Sequence, residues 1–280
     1  DGYRYTLDVQ GCATITRCPE DESALILPET LGGHPVTGLA EDAFTMYWYA
    51  ISSITIPPSI VNIEGNPFID FSVVQITVLP GNSAIRIENG LLINARDGTL
   101  IACLDKSLEQ CAVPEGILRV GDCAFQGGYQ LKYVTLPEGL TSIGKKAFES
   151  CHTMETLVLP SSLTDIGESA FDYCITLRAL TLPDSLTRIG DCAFNDCRSL
   201  KLTISDAHPA YRFTDGVLYD RGMTTLVLCP ADARLTRYTV PNGVTRIAGG
   251  AFCACESLQS IVFPDSLISV GDRAFYACDG

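Results

Sequence analysis

Histidine is scarce in this chain, with three in 280 residues: His34, His152 and His208. An imidazole base or a histidine-rich metal centre therefore has few places to be. Positive charge is also short, 19 Lys and Arg against 33 Asp and Glu, for a net charge of -14. Polyanions are held by clustered cations, so nucleic acid and anionic lipid are excluded as main partners. No apolar run approaches the roughly 18 residues that cross a bilayer, so no transmembrane segment is predicted. The chain lacks a G-x-S-x-G elbow, an H-E-x-x-H pair, a G-x-x-x-x-G-K-[ST] phosphate loop and an EF-hand loop. The expectation is no enzyme, no cofactor and no metal. The start at Asp1, without an initiator methionine or a basic-then-apolar leader, is what either a trimmed chain or a mature exported one shows, and a missing signal decides nothing.

Cysteine, in contrast, is plentiful at 13, an odd number that cannot all pair within one chain. Its spacing follows a repeat. Ala-Phe dipeptides end at Phe44, Phe125, Phe148, Phe171, Phe194, Phe252 and Phe275, with Pro67-Phe68 as a variant, and four of the gaps are 23 residues. Within one unit the apolar positions are Leu177, Leu180, Leu182, Leu186, Ile189, Ala193, Phe194 and Cys197. Leu180 to Leu182 alternates as a short strand does, and Pro183 ends it. The three- and four-residue spacing that follows predicts a turn of helix or 3₁₀ returning across the core. A unit this short cannot bury its own apolar face, so units must stack and share one core.

Two gaps are longer, 57 and 58 residues, and hold the related insertions NGLLINARDGTLIAC (89–103) and DGVLYDRGMTTLVLC (215–229). Each reads as a projecting β-hairpin, at about 86–104 and 212–230. Gly90 and Gly216, Cys103 and Cys229, and Phe68 and Phe194 all lie 126 positions apart, so a larger block has been duplicated.

LPDSLTRIGDCAFNDCRSL, LPSSLTDIGESAFDYC, LPEGLTSIGKKAFES and the DGVLYD hairpin resemble the BspA-like leucine-rich repeats of bacterial surface proteins. The resemblance runs from about Leu25 to Cys278. It implies an α/β repeat solenoid, a right-handed leucine-rich-repeat superhelix of 23-residue units with two hairpin insertions. Residues 1–24 would form an N-terminal cap segment and 25–280 one solenoid. The sequence stops within a unit at Cys278-Asp-Gly, so either these residues cap the core or the natural protein continues. The resemblance further implies a secreted or surface-displayed protein with an adhesion role, whose partner is a protein such as a host extracellular-matrix or surface protein.

The repeated cysteines Cys151, Cys174, Cys197, Cys255 and Cys278 sit three residues after the phenylalanine, which points to an interior column and not to chemistry. Cys12 and Cys18, outside the repeats, are the expected disulfide. Asp165, Glu168, Asp172, Glu149 and Glu155 fall at variable phases and read as a solvated face, with no cleft for paired-acid catalysis. With alternate strand residues buried, Thr135, Val158, Thr181 and Val262 must point outward. Flanked by Lys132, Tyr133, Glu155, Arg178 and Gln259, they form the expected partner-binding face; the plain structural reading is a Thr-rich surface chosen for strand propensity. Tyr47, Trp48 and Tyr49 are the alternative, an aromatic platform for a glycan, or else packing of irregular first turns; a further reading is a passive structural spacer that binds nothing.

Overall fold

The 23-residue period makes the backbone return to the same place once per unit. A residue therefore pairs with the one 23 positions on, always in parallel: Tyr133 with Thr156, Asp165 with Arg188, Arg246 with Ser269. A computed structural model describes residues 2–19, 22–44, 51–69, 75–230 and 233–280. The chain divides into two compact units, Asp1–Lys106 with Arg119–Ala124, and Ser107–Leu118 with Phe125–Gly280. Each is a β-solenoid.

The first unit opens with an antiparallel hairpin, Arg4–Leu7 against Ala13–Arg17. The second of these strands runs parallel to His34–Leu39, which runs parallel to Asn62–Ile63. A second row joins Ala24–Ile26, Ser53–Ile56 and Gln75–Val78 in parallel. Ile15, Leu25, Leu39, Ile54, Ile56 and Ile60 fill the space between the rows. The insertion then adds Ile85–Glu88, Leu91–Asn94 and Thr99–Cys103 as an antiparallel meander whose last strand pairs in parallel with Arg119–Val120.

In the second unit, one row contains Gln110–Ala112, Tyr133–Thr135 and Thr156–Leu157, then Ala179–Thr181 with Lys201–Thr203, then Arg237–Thr239 with Ser260–Val262. The other contains Ser142–Ile143, Asp165–Ile166 and Arg188–Ile189, then Arg246–Ile247 and Ser269–Val270. Between them the second insertion lays down Tyr211–Thr214, Val217–Asp220 and Thr225–Leu228. These insertions do not project. Leu91, Leu92, Ile93, Val217, Leu218 and Tyr219 are wholly buried, because both faces of the middle strand carry apolar side chains that only the core can take.

The return expected as a turn of helix or 3₁₀ is neither, since these segments hold no α-helix and no 3₁₀-helix. The segment is a two-residue strand followed by successive turns: Ala193 N–H donates to Gly190 O, Asn195 to Cys192 O and Cys197 to Phe194 O, at 3.3, 3.0 and 3.2 Å. Residues two before and two after Phe148, Phe171, Phe194 and Phe275 are left-handed without being glycine, as at Ser169 (φ 53°), Tyr173 (φ 59°), Cys192 (φ 57°) and Asp196 (φ 53°). That conformation costs about 1–2 kcal/mol for an L-residue and breaks any helix. It also turns the N–H toward the next turn: Ser169 donates to Asp191 O and Tyr173 to Asn195 O, both at 3.0 Å. Inter-turn bonding of otherwise buried donors is what offsets the strain.

Phe125, Phe148, Phe171 and Phe194 stack as expected, with centroids 4.9, 5.4 and 5.6 Å apart and planes within 5°. Phe252 and Phe275 stack at 5.2 Å, although Phe275 is only half-buried. Cys229 takes the intervening position: its N–H donates to Ala251 O as that of Phe171 does to Ala193 O.

Candidate functional site

The cysteine column has a function in the fold that its position alone did not reveal. Cys151, Cys174 and Cys197 donate their thiols to the carbonyls of Phe125, Phe148 and Phe171 at 3.3, 3.1 and 3.0 Å, and Cys278 donates to Phe252 O at 3.0 Å. Each thiol thus satisfies a carbonyl of the turn before it. The recurrence of cysteine three residues after the phenylalanine was the signal in the sequence, because a thiol can donate there. Burial pushes the Cys174 and Cys197 thiols well above the ordinary 9.0, so neither is a nucleophile at neutral pH. Cys12 and Cys18 are separate thiols, which corrects the expected disulfide. The strand Ala13–Arg17 lies extended between them. At about 3.3 Å per residue, this holds them roughly 20 Å apart, well beyond disulfide reach.

Raised thiol pKa values carry a pH dependence. Unfolded thiols ionise near 9.0, while burial raises Cys192 to about 11 and Cys253 to about 12. Above pH 9 the unfolded chain therefore binds fewer protons than the folded one. The stability these groups contribute is intact below that pH and is lost as pH rises toward the folded values. The urea midpoint is expected to fall steadily between about pH 8 and pH 11; a flat profile would contradict it.

Of the five carboxylates read as a solvated face, all have a cationic partner, Glu149 within its own turn and the others across turns. Arg188 Nε lies 2.6 Å from Asp165 Oδ1, a hydrogen bond that holds this carboxyl below its usual range. Lys145 lies 3.2 Å from Glu168, and Lys146 3.2 Å from Glu149. Asp172 is the exception to the solvated-face reading: it is 1% exposed. Its Oδ1 accepts from Asn195 Nδ2 at 2.7 Å, and Arg273 lies 3.5 Å from Oδ2. The position after each phenylalanine turns toward the neighbouring turn, so Asp172 meets Asn195 as Glu149 meets Gln126. Burial raises the Asp172 pKa.

The histidines are structural. His208 is fully buried, its Nε2 3.0 Å from Pro183 O, while its Nδ1 accepts the N–H groups of Ala210 and Tyr211 at 3.2 Å. This fixes the neutral tautomer with the proton on Nε2. Asn82, 126 positions earlier, does the same with donors to Pro57 O and Ile60 O. His34 bonds Gly11 O through Nδ1, and His152 packs against Tyr129. Among the described residues no three His, Cys, Asp or Glu side chains converge as a metal site.

The residues expected from the sequence to face a partner divide into two patches. Tyr133, Thr135 and Thr181 lie outward on strands of one row, and Val158, directly after the Thr156–Leu157 strand, is 81% exposed. Lys132 and Arg178 are paired there with Glu109 (3.0 Å) and Glu155 (3.6 Å). Gln259 and Val262 are exposed but belong to the Arg237–Thr239 and Ser260–Val262 pair, which the inserted meander separates from the first patch. Tyr47, Trp48 and Tyr49 lie outside the described residues. No helix among the described residues is long and apolar enough to cross a membrane.

Residues 102–211 and 230–280 match the BspA type leucine rich repeat region, in six copies. No curated protein matches the chain. Among solved structures, a leucine-rich repeat protein from Eubacterium ventriosum is 19% identical, with a TM-score of 0.53 over 91% of this chain and 64% of that one. The chain thus spans less than two thirds of that protein. A leucine rich cell surface protein from Faecalibacterium prausnitzii is 24% identical over 96% of this chain and 71% of the other, with a TM-score of 0.49. The pneumococcal vaccine antigen PcpA is 21% identical over 99% and 66%, with a TM-score of 0.45.

Proposed function

The chain belongs to the BspA type leucine-rich repeat family, and on that premise we propose that it is a non-enzymatic, protein-binding module, secreted or displayed at a bacterial surface, with an adhesin-like role. The observation that carries this reading is the outward row on the first strand patch, where Tyr133 is 47% and Val158 81% exposed on a rigid sheet. A rigid sheet presents such side chains at little entropic cost, and an aromatic beside a β-branched residue suits a protein anchor. Cross-turn ion pairs at Lys132 and Arg178 frame the patch with neutralised charge, leaving contact area in place of a strong field. Its partner class is a protein such as a host extracellular-matrix or surface protein.

The test is label-free binding of the whole chain to a panel of immobilised extracellular-matrix proteins and glycans. Arginine at Thr135, Val158 and Thr181 together is expected to weaken a protein hit roughly 30-fold or more without lowering the melting temperature. A hit that survives the triple change places the contact elsewhere. A glycan hit lost with Trp48→Ala would transfer the reading to the aromatic cluster.

A further inference from the structure

The second meander leaves a cleft of about 480 Å³ in the second unit. One wall is the Lys201–Thr203 strand and its continuation to Asp206; the other carries Arg212, Phe213 and Arg221. Lys201 N–H donates to Arg178 O, and Thr203 O accepts from Leu182 N–H, both at 2.9 Å. Their peptide groups therefore face the Ala179–Thr181 strand. Alternation along a parallel strand turns those of Leu202 and Ile204 the other way, into the cleft. This sheet has two strands, and among the described residues none pairs with that open side. In contrast, Tyr133–Thr135 has a neighbour on each side.

The charge on the facing wall is as distinctive as the open edge. In a chain of net charge -14, most cations of the second unit lie in ion pairs. Among the described residues neither Arg212 nor Arg221 has a carboxylate partner. Arg221 Nη1 donates only to Asp206 O, at 3.3 Å, and the Asp206 carboxylate is the one acidic group against the two guanidiniums in the lining. The duplication supplies an internal comparison. In the first copy Arg86, 126 positions before Arg212, is 3.2 Å from Glu88. The second copy has Thr214 where that glutamate stood and Arg221 where the first has Ala95.

We propose that this cleft takes an extended acidic segment of a partner protein. The segment adds a strand along Leu202 to Ile204 and sets carboxylates on alternate residues against Arg212 and Arg221. Backbone bonding supplies the affinity of such strand addition, and side-chain pairing supplies the selection. Phe213 offers an apolar wall to the residues between. The inference rests on the protein-binding reading but uses the far edge of the Lys201–Thr203 strand, which adjoins the Thr135, Val158 and Thr181 row through the Thr181 to Thr203 side-chain hydrogen bond.

The test is fluorescence anisotropy of the whole chain with a labelled peptide that alternates glutamate and valine. Saturable binding is expected, with at least about a tenfold loss on Arg212→Glu and on Thr214→Glu, which restores the first copy's internal pair. Both positions lie away from the core, so melting temperatures should hold. The lysine–valine peptide should not bind, nor should the glutamate–valine peptide N-methylated on alternate residues. No saturable binding, or binding unchanged by both substitutions, overturns the proposal; equal binding of the N-methylated peptide overturns its strand-addition geometry. Because Thr181 touches Thr203 at the cleft, a variant with arginine at Thr135 and Val158 alone separates the two sites. Peptide binding that survives it supports the cleft whatever becomes of the strand-face reading, and loss there with Arg212→Glu silent assigns the peptide to the strand face.

Discussion

Phe171→Ala is expected to destabilise the protein by about 3–5 kcal/mol in urea unfolding. Phe171 has no exposure, and its ring lies parallel to Phe148 and Phe194, with interplanar angles of 2° on both sides. Truncation removes two stacked contacts and leaves a cavity that cannot close, because each neighbouring ring is held by its own backbone. Phe148 N–H donates to Ala170 O and Phe171 N–H to Ala193 O, both at 2.8 Å, so the turn spacing is set independently of the side chain. Stability in a stacked array is a sum over units and their interfaces, and this position contributes to two interfaces at once. Phe275→Ala, half-buried with Phe252 stacked on one face, should cost less than half as much. A Phe171 effect below about 1 kcal/mol, or one equal to that of Phe275, would remove the column from the account of stability.

Gly167→Ala should cost roughly 3 kcal/mol, at the upper end of overpacking. The unit's Ile-Gly pair looks like a turn signal, but Gly167 is not left-handed. Its hydrogen faces the previous turn, where a Cβ would lie 2.5 Å from Gly144 C, 2.6 Å from Lys145 N and 2.7 Å from Gly144 O. All three are backbone atoms, so no side chain can yield and the turns must separate. Separation stretches the Gly167 N–H bond to Ile143 O, now 2.8 Å. Gly139 is the control: it has φ +95°, and a Cβ added there would meet nothing within 4 Å. Alanine at that position meets only backbone strain, about 1 kcal/mol. Through the unfolded state alone, Gly→Ala stabilises by about 0.4–1 kcal/mol, so a stabilised Gly167→Ala protein would contradict the close approach.

Much of the fold was legible because stacking makes one position answer for many. Phe148, Phe171 and Phe194 recur at the same phase because each must meet the ring of the next turn, and Leu180 and Leu182 alternate because a strand has two faces. Thr135, Val158 and Thr181 could be placed outward for the same reason. The helical return was misread because Leu186 and Ile189, three apart, fit a short helix and a chain of turns equally well. The deciding feature, left-handed backbone at Ser169, Tyr173, Cys192 and Asp196, has no composition signal when the residues are not glycine. Asp172 was misplaced because its burial depends on Asn195 in the following turn and on Arg273, 101 positions away in sequence.

By itself, the sequence determined the period, the family, the inward columns and the duplicated block, since all of these are local patterns repeated by the need to bury one turn against the next. Only the tertiary structure decided that the insertions are drawn into the core, that Gln259 and Val262 stand apart from Val158, and that the Lys201–Thr203 edge lies open before Arg212 and Arg221. These are relations between segments whose distance in space is set by packing, and no local pattern encodes them.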